Sequence, residues 1–329
     1  MSKRQLSVAI ALLLSVQPVA AQDPLDAVID TGDARRFAAV FLENEGSPTT
    51  EHIQQAYLDE AGEGLRLMQT TRFGTAQALA DAIAASPAIY RDTVERCLPI
   101  AESMEPSLQA IYLAIAGLFP GQSLPRVEVV IGAGSAAGIA APEVQVIGLE
   151  TLCASSPTDA EVREALRYFF AHETIHSFQP SLTANTLGPD PLLSLSLHEG
   201  IADLVARIIL GRSPNASRDA WADARRAELF AQFDEDRETL RQSVGDGETI
   251  TTLSDDARAA LQRWHFNHGR VPDEWQSDLG YWIGREIALA YVERSSDRRQ
   301  AIHDLVQGID PLIELETSVL FEAIHEGER

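Results

Sequence analysis

The sequence is poor in positive charge. It holds 26 Lys and Arg against 49 Asp and Glu, a formal net charge of −23, and its only lysine is Lys3. A phosphate-backbone binder needs a basic face, so nucleic acid is excluded as a partner. Cysteine is scarce too. Cys97 and Cys153 make neither a zinc-ribbon spacing nor a disulfide-dense scaffold. They leave two readings open, one disulfide or two buried thiols. Long apolar runs are missing. The run Leu6 to Val16 is about half of the roughly 20 residues that a spanning helix needs. Hydrophobic residues nevertheless make up 45% and charged residues 23%. That composition fits a folded chain with a sizeable core and not a disordered one.

The N-terminus has a secretory pattern. Met1-Ser2-Lys3-Arg4 is basic, Leu6 to Val16 is apolar, and Pro18-Val19-Ala20-Ala21 supplies small residues. The expectation is a signal peptide over 1–21, with the mature chain periplasmic or secreted and without a stable membrane span. No cysteine follows the apolar run to carry a lipid. Cleavage would leave 24 basic against 49 acidic residues, or −25. An oxidising compartment would permit the Cys97–Cys153 pair.

Residues 22–125 read as a helical N-terminal subdomain of four or five helices, with breaks at Gly46, Gly62, Gly74, Pro87 and Pro99. Two β-branched segments follow, Arg126 to Ile131 and Val144 to Leu149. They predict an antiparallel pair with a glycine-rich connection, and the second could offer an edge to an extended peptide. Helices are predicted from about Thr158 through the 170s, then at 195–211, 218–243, 255–266, 278–294, 297–308 and 312–325. The fold class is therefore α+β, predominantly helical, with a small antiparallel sheet. Residues 126–329 read as a second subdomain, which carries the sheet and the later helices.

Gly132-Ala133-Gly134-Ser135-Ala136-Ala137 imitates a dinucleotide fingerprint, with Glu150 as the downstream acid. The fingerprint requires a following helix to receive pyrophosphate. The short stretch from Gly138 to Val144, which contains Pro142, cannot hold one. No nucleotide is expected.

His172-Glu173-Thr174-Ile175-His176 is H-E-x-x-H inside a helical segment. Residues i and i+4 share a helix face, so both histidines can point at one ion, with Zn²⁺ the best fit. Glu173 can reach a metal-bound water and act as general base. A catalytic zinc needs a third protein ligand. Gln179 stands where a metzincin would have glycine. Glu199, at the start of another apolar helix, is the best candidate, with His198 as the alternative. Asp203 lies one turn on and can fix the tautomer of His172.

His172-Glu173-x-x-His176 followed by Glu199-x-x-x-Asp203 resembles the gluzincin arrangement of thermolysin-type metallopeptidases. Glu199-Gly200-x-Ala202 resembles a narrower family of predicted zinc-dependent proteases. Leu118-Phe119-Pro120, Val127 to Gly132, Gly138 and Gly148-Leu149-Glu150 match segments expected upstream in that family. Tyr57-Leu58 and Gly64-Leu65 match its helical N-terminal part, and Leu279-Gly280-Tyr281-Trp282-Ile283-Gly284 matches its downstream helix. The resemblance spans about 34 to 320. It implies a zincin-like fold with the sheet beside the zinc helix. It also implies Tyr281 as an oxyanion donor, with His265 and His268 as rivals. Arg285 could bind a substrate carboxylate or form a surface ion pair.

The expectation is an exported zinc-dependent metallohydrolase, a peptidase acting on peptide or protein. His172, His176 and Glu199 would bind Zn²⁺, and Glu173 and Tyr281 would be catalytic. Two alternatives stand: a catalytically silent zinc-fold binding or structural protein, and a hydrolase of non-peptide amides or esters.

Overall fold

A computed structural model describes residues 23–182, 188–245, 249, 251–267, 270–271 and 274–310. The proposed signal segment, the predicted 312–325 helix and His268 lie outside these residues.

The N-terminal part carries strand β1 (Ile29–Asp30) and seven helices. These are α1 (Gly32–Glu43), α2 (Thr50–Ile53), α3 (Glu63–Met68), α4 (Ala76–Ala85), α5 (Pro87–Asp92), α6 (Leu98–Glu102) and α7 (Glu105–Leu118). The expected four or five helices are thus more numerous and shorter. Wider π-turns at Gln54–Leu58, Gln69–Phe73 and Thr93–Cys97 interrupt the regular ladder. Local chemistry sets several ends. Thr49 caps α2 by accepting from the His52 amide at 3.2 Å, and Pro87 occupies the first turn of α5.

Strands β2 (Arg126–Val130), β3 (Gly138–Ala141) and β4 (Val144–Gly148) complete a mixed sheet in the order β1-β2-β4-β3. This corrects the expected antiparallel sheet: β2 and β4 run parallel, with Val127 beside Gln145 and Val129 beside Ile147. The reason is the segment 131–143. It carries the chain past β4 to form β3, which then turns back antiparallel onto β4, Ile139 beside Val146. A parallel pair needs a long connection, and here the connection contains a strand where a helix is usual. β4 is therefore hydrogen-bonded on both sides, which removes it as a peptide-docking edge. Strand β3 ends the sheet.

The C-terminal part holds α8 (Leu149–Ala154), α9 (Asp159–Phe178), α10 (Pro191–Leu210), α11 (Ala216–Asp223), α12 (Arg226–Gly245), α13 (Asp255–Trp264), α14 (Leu279–Arg294) and α15 (Arg298–Gln307). The predicted 218–243 helix is two helices, broken at Ala224–Arg225 without glycine or proline.

Alternation along β4 assigns the two faces of the sheet. Gln145 points to α9, where it donates to Thr174 Oγ1 at 2.8 Å, and it also donates to Tyr112 Oη on α7 at 2.8 Å. Val146 points the other way, toward Gly64 of α3. One hydrophobic cluster runs from Ala27 to Val306, so both parts of the chain share a core. Cys97 and Cys153 form a disulfide that joins the last π-turn to α8.

Candidate metal centre

Helix α9 begins with a capping box. Thr158 accepts from the Glu161 amide, and Glu161 accepts from the Thr158 amide at 2.8 Å. From that start, Tyr168, His172 and His176 fall at four-residue intervals on one face. Helix α10 crosses nearby and brings Glu199.

The crossing of α10 with α14 depends on glycine. A Cβ on Gly284 would lie 1.7 Å from the Ser196 carbonyl oxygen, and one on Gly200 would lie 2.2 Å from the Arg285 nitrogen. Only bare backbones can approach this closely. The contact sets Glu199 on α10 beside Tyr281 on α14.

Three ligand-type atoms converge. His172 Nε2 and His176 Nε2 are 2.9 Å apart. Glu199 Oε2 lies 3.1 Å from His176 Nε2 and 3.3 Å from His172 Nε2. These three residues are one of two groups among the described residues with the spacing to hold a metal ion. The other includes Cys97 and Cys153, whose sulfurs are already bonded to each other. His198 does not join the triangle. Its ring stacks on His176 at 4.6 Å, and burial pulls its pKa down to about 4, so it is neutral.

The outer nitrogens of both histidines face acceptors. His172 Nδ1 is 3.0 Å from Tyr168 Oη and 3.3 Å from Asp203 Oδ1. His176 Nδ1 is 2.7 Å from Gln179 Oε1, and Gln179 Nε2 donates to the His198 carbonyl at 3.0 Å, which fixes the amide's orientation. These partners favour hydrogen on each Nδ1, so that each Nε2 turns a lone pair inward whenever its ring is neutral. Three inward electron pairs repel one another unless a cation, proton or metal, lies among them. A proton can play that part at His172. Burial opposes its charge, but hydrogen bonds to Asp203 and Glu199 prevail and push its pKa up to about 10. For Glu199, burial is likewise outweighed by the charge of His176 and by hydrogen bonds from both histidines. Its pKa falls well below the usual range.

Asp203 is fully buried, so it is not a helix-surface acid. Burial works against its ionisation, yet hydrogen bonding to His172 and the charge of Arg218 hold its pKa at about 2. Arg218 reaches Asp203 at 3.1 Å and also donates to the Asp278 carbonyl, just before α14, at 3.2 Å. Arg285 is buried between Asp219 at 2.5 Å and Glu286 at 3.1 Å, which excludes both the substrate-anchor and the surface-pair reading.

Glu173 is buried on α9, and burial raises its pKa, opposed by His176 and His172. It lies against Gly138, the first residue of β3, where a Cβ would come within 2.2 Å of its Oε1. Glu150 positions the preceding loop by accepting from the amides of Gly132 at 2.9 Å and Gly134 at 3.0 Å. The acid of the apparent nucleotide fingerprint thus binds the glycine loop itself.

Tyr281 stacks over His172 with ring centroids 6.0 Å apart. Burial first, then the charge of Glu199, push its phenol well above the usual range. His265 lies beside Tyr281, ring centroids 5.8 Å apart. Its Nε2 is 2.9 Å from Ser196 Oγ, its ring fills the space left by Gly280, and burial lowers its pKa to about 4.

Tyr168, Gln179 and Arg218 were not singled out as site residues from the sequence. Tyr168 had a legible signal, since it precedes His172 by one helical turn. Comparison of the chain with family models, curated proteins and solved structures gave no match.

Proposed function

We propose that the protein is an exported zinc-dependent hydrolase that cleaves peptide bonds. The observation that carries this reading is the convergence of His172 Nε2, His176 Nε2 and Glu199 Oε2 beside the buried carboxylate of Glu173. A tetrahedral zinc site with bonds of about 2.0–2.1 Å spaces its ligand atoms by about 3.3 Å. The observed separations of 2.9, 3.1 and 3.3 Å suit such an ion. Two neutral imidazoles and one carboxylate are also the donor set that zinc prefers.

A bound zinc ion would supply Lewis acidity and lower the pKa of water toward neutrality. The remaining roles belong to this chain. His172, His176 and Glu199 hold the ion. Asp203, 3.3 Å from His172 Nδ1, favours hydrogen on that nitrogen and keeps the Nε2 lone pair available. Glu173 takes a proton from the attacking water and returns it to the leaving amine. Tyr281 keeps its proton and donates to the oxygen that gains charge. Strand β3 ends the sheet beside Glu173 and offers an extended peptide a backbone to pair with.

Export rests on the N-terminal pattern and on the Cys97–Cys153 disulfide, a bond that persists in oxidising compartments. Among the described residues no helix is long and apolar enough to cross a membrane.

The test is metal analysis of wild type and Glu173→Gln, with hydrolysis of a mixed peptide library. Zinc in both, with cleavage by wild type alone, is expected. Zinc in both without any cleavage would favour the silent binding fold, and no zinc in either would overturn the site.

A further inference from the structure

Tyr168 occupies an unusual place in the site. Its Oη lies 3.0 Å from His172 Nδ1 and 2.5 Å from Asp203 Oδ1, so it touches both members of the histidine–carboxylate pair. The direct His172 Nδ1 to Asp203 Oδ1 separation is longer, 3.3 Å. A phenol has one proton and spare lone pairs. Arg218 holds the other oxygen of Asp203 at 3.1 Å, and a carboxylate paired with an arginine accepts, so the Tyr168 proton goes to Asp203 Oδ1 along the shortest contact. The phenol oxygen is then left as an acceptor facing His172, and it is the nearest one. The imidazole must answer with Nδ1–H, which sends its Nε2 lone pair toward His176 and Glu199.

We propose that Tyr168 is a positioning residue of the metal centre, which fixes the tautomer and ring direction of His172 by linking it to Asp203. The inference rests on the metal-binding reading of the site and not on hydrolysis. Arg218 supports the arrangement from behind. Its hold on Asp203 Oδ2 leaves Oδ1 to Tyr168 and His172. His176 receives a weaker version of the same service from the neutral amide of Gln179. The two ligand histidines are thus oriented by different chemistry, one by a phenol hydroxyl linked to a carboxylate and one by an amide.

The competing account is that Tyr168 merely packs. Its ring does lie 5.2 Å from Phe169 and 5.0 Å from the His172 ring. Tyr168→Phe keeps that packing and deletes only the hydroxyl. The experiment is zinc affinity by competition with a chromophoric chelator, measured well below the melting temperature, for wild type, Y168F, D203N and the double variant. Losses from such partners run to about 10–100-fold. We expect about tenfold weaker zinc binding in Y168F and a larger loss in D203N. The double variant should lose less than the product of the two, because the hydroxyl acts partly through the carboxylate. Long-range ¹H–¹⁵N spectra of zinc-loaded protein should show the Nδ1–H signal of His172 shifted in Y168F. Those spectra also keep the role testable if Y168F melts early. Zinc affinity within twofold of wild type in Y168F, or an unmoved His172 signal, would overturn the role. A wild type that binds no zinc would overturn the metal reading itself, and the role of Tyr168 with it.

Discussion

His172 Nε2 and His176 Nε2 face each other across 2.9 Å, and each ring's other nitrogen is committed to an oxygen acceptor. Two imidazoles so constrained cannot hydrogen-bond to each other without an added proton. Their approach makes sense around a cation, and Glu199 Oε2 closes the third side at 3.1 Å from His176.

Gln179 should matter to metal binding although it is no ligand. It is the first partner of His176 Nδ1, at 2.7 Å. Gln179→Ala is expected to weaken zinc binding by about tenfold with little change in melting temperature. Chelator competition measures this, and unchanged affinity would contradict it.

Two glycines should be intolerant for different reasons. Alanine at Gly138 would push a methyl against Glu173 Oε1. Zinc retention with a fall in kcat/KM on the order of 10²-fold is expected, since a displaced general base costs about that much. Alanine at Gly284 would meet the Ser196 carbonyl at 1.7 Å and spread α10 from α14. Denaturant melts should show a loss of roughly 1–3 kcal/mol, with zinc affinity falling alongside.

The disulfide should contribute substantially to stability. It closes a loop of 56 residues. Chain-entropy reasoning gives about 4 kcal/mol for a loop of that size. Reduction, or replacement of both cysteines by alanine, should lower the melting temperature accordingly. Equal melting of oxidised and reduced protein would contradict this.

His265 should make the fold acid-sensitive. Its pKa falls from 6.5 to about 4 on folding, through burial. The unfolded chain therefore takes a proton that the folded chain refuses. The stability tied to neutral His265 is present above pH 6.5 and is lost as pH falls toward about 4. The loss amounts to about 3 kcal/mol at most. Replacing His265 with Gln should flatten this part of the stability–pH curve.

The sequence carried the chemistry of the site better than its architecture. His172, Glu173 and His176 lie within five consecutive residues, and helical geometry alone puts the two histidines on one face. Glu199 and Asp203 were legible for the same reason, one turn apart. The sheet was not. Gly138 to Ala141 is too short and too rich in small residues to announce a strand, so the reversal that makes β2 and β4 parallel left no trace in local pattern. Arg218 and Asp203 are fifteen residues apart on different helices, and only the fold joins them. Gln179 was visible, but only as a departure from another ligand pattern. Its partner, the His198 carbonyl, is backbone and has no signature in sequence.

The most direct test of the central claim is an equilibrium zinc titration of metal-free wild type beside His176→Ala. The account predicts one tightly bound zinc per chain in wild type and loss of stoichiometric binding in the variant. Failure of wild type to take up zinc, or equal uptake by both proteins, would contradict it.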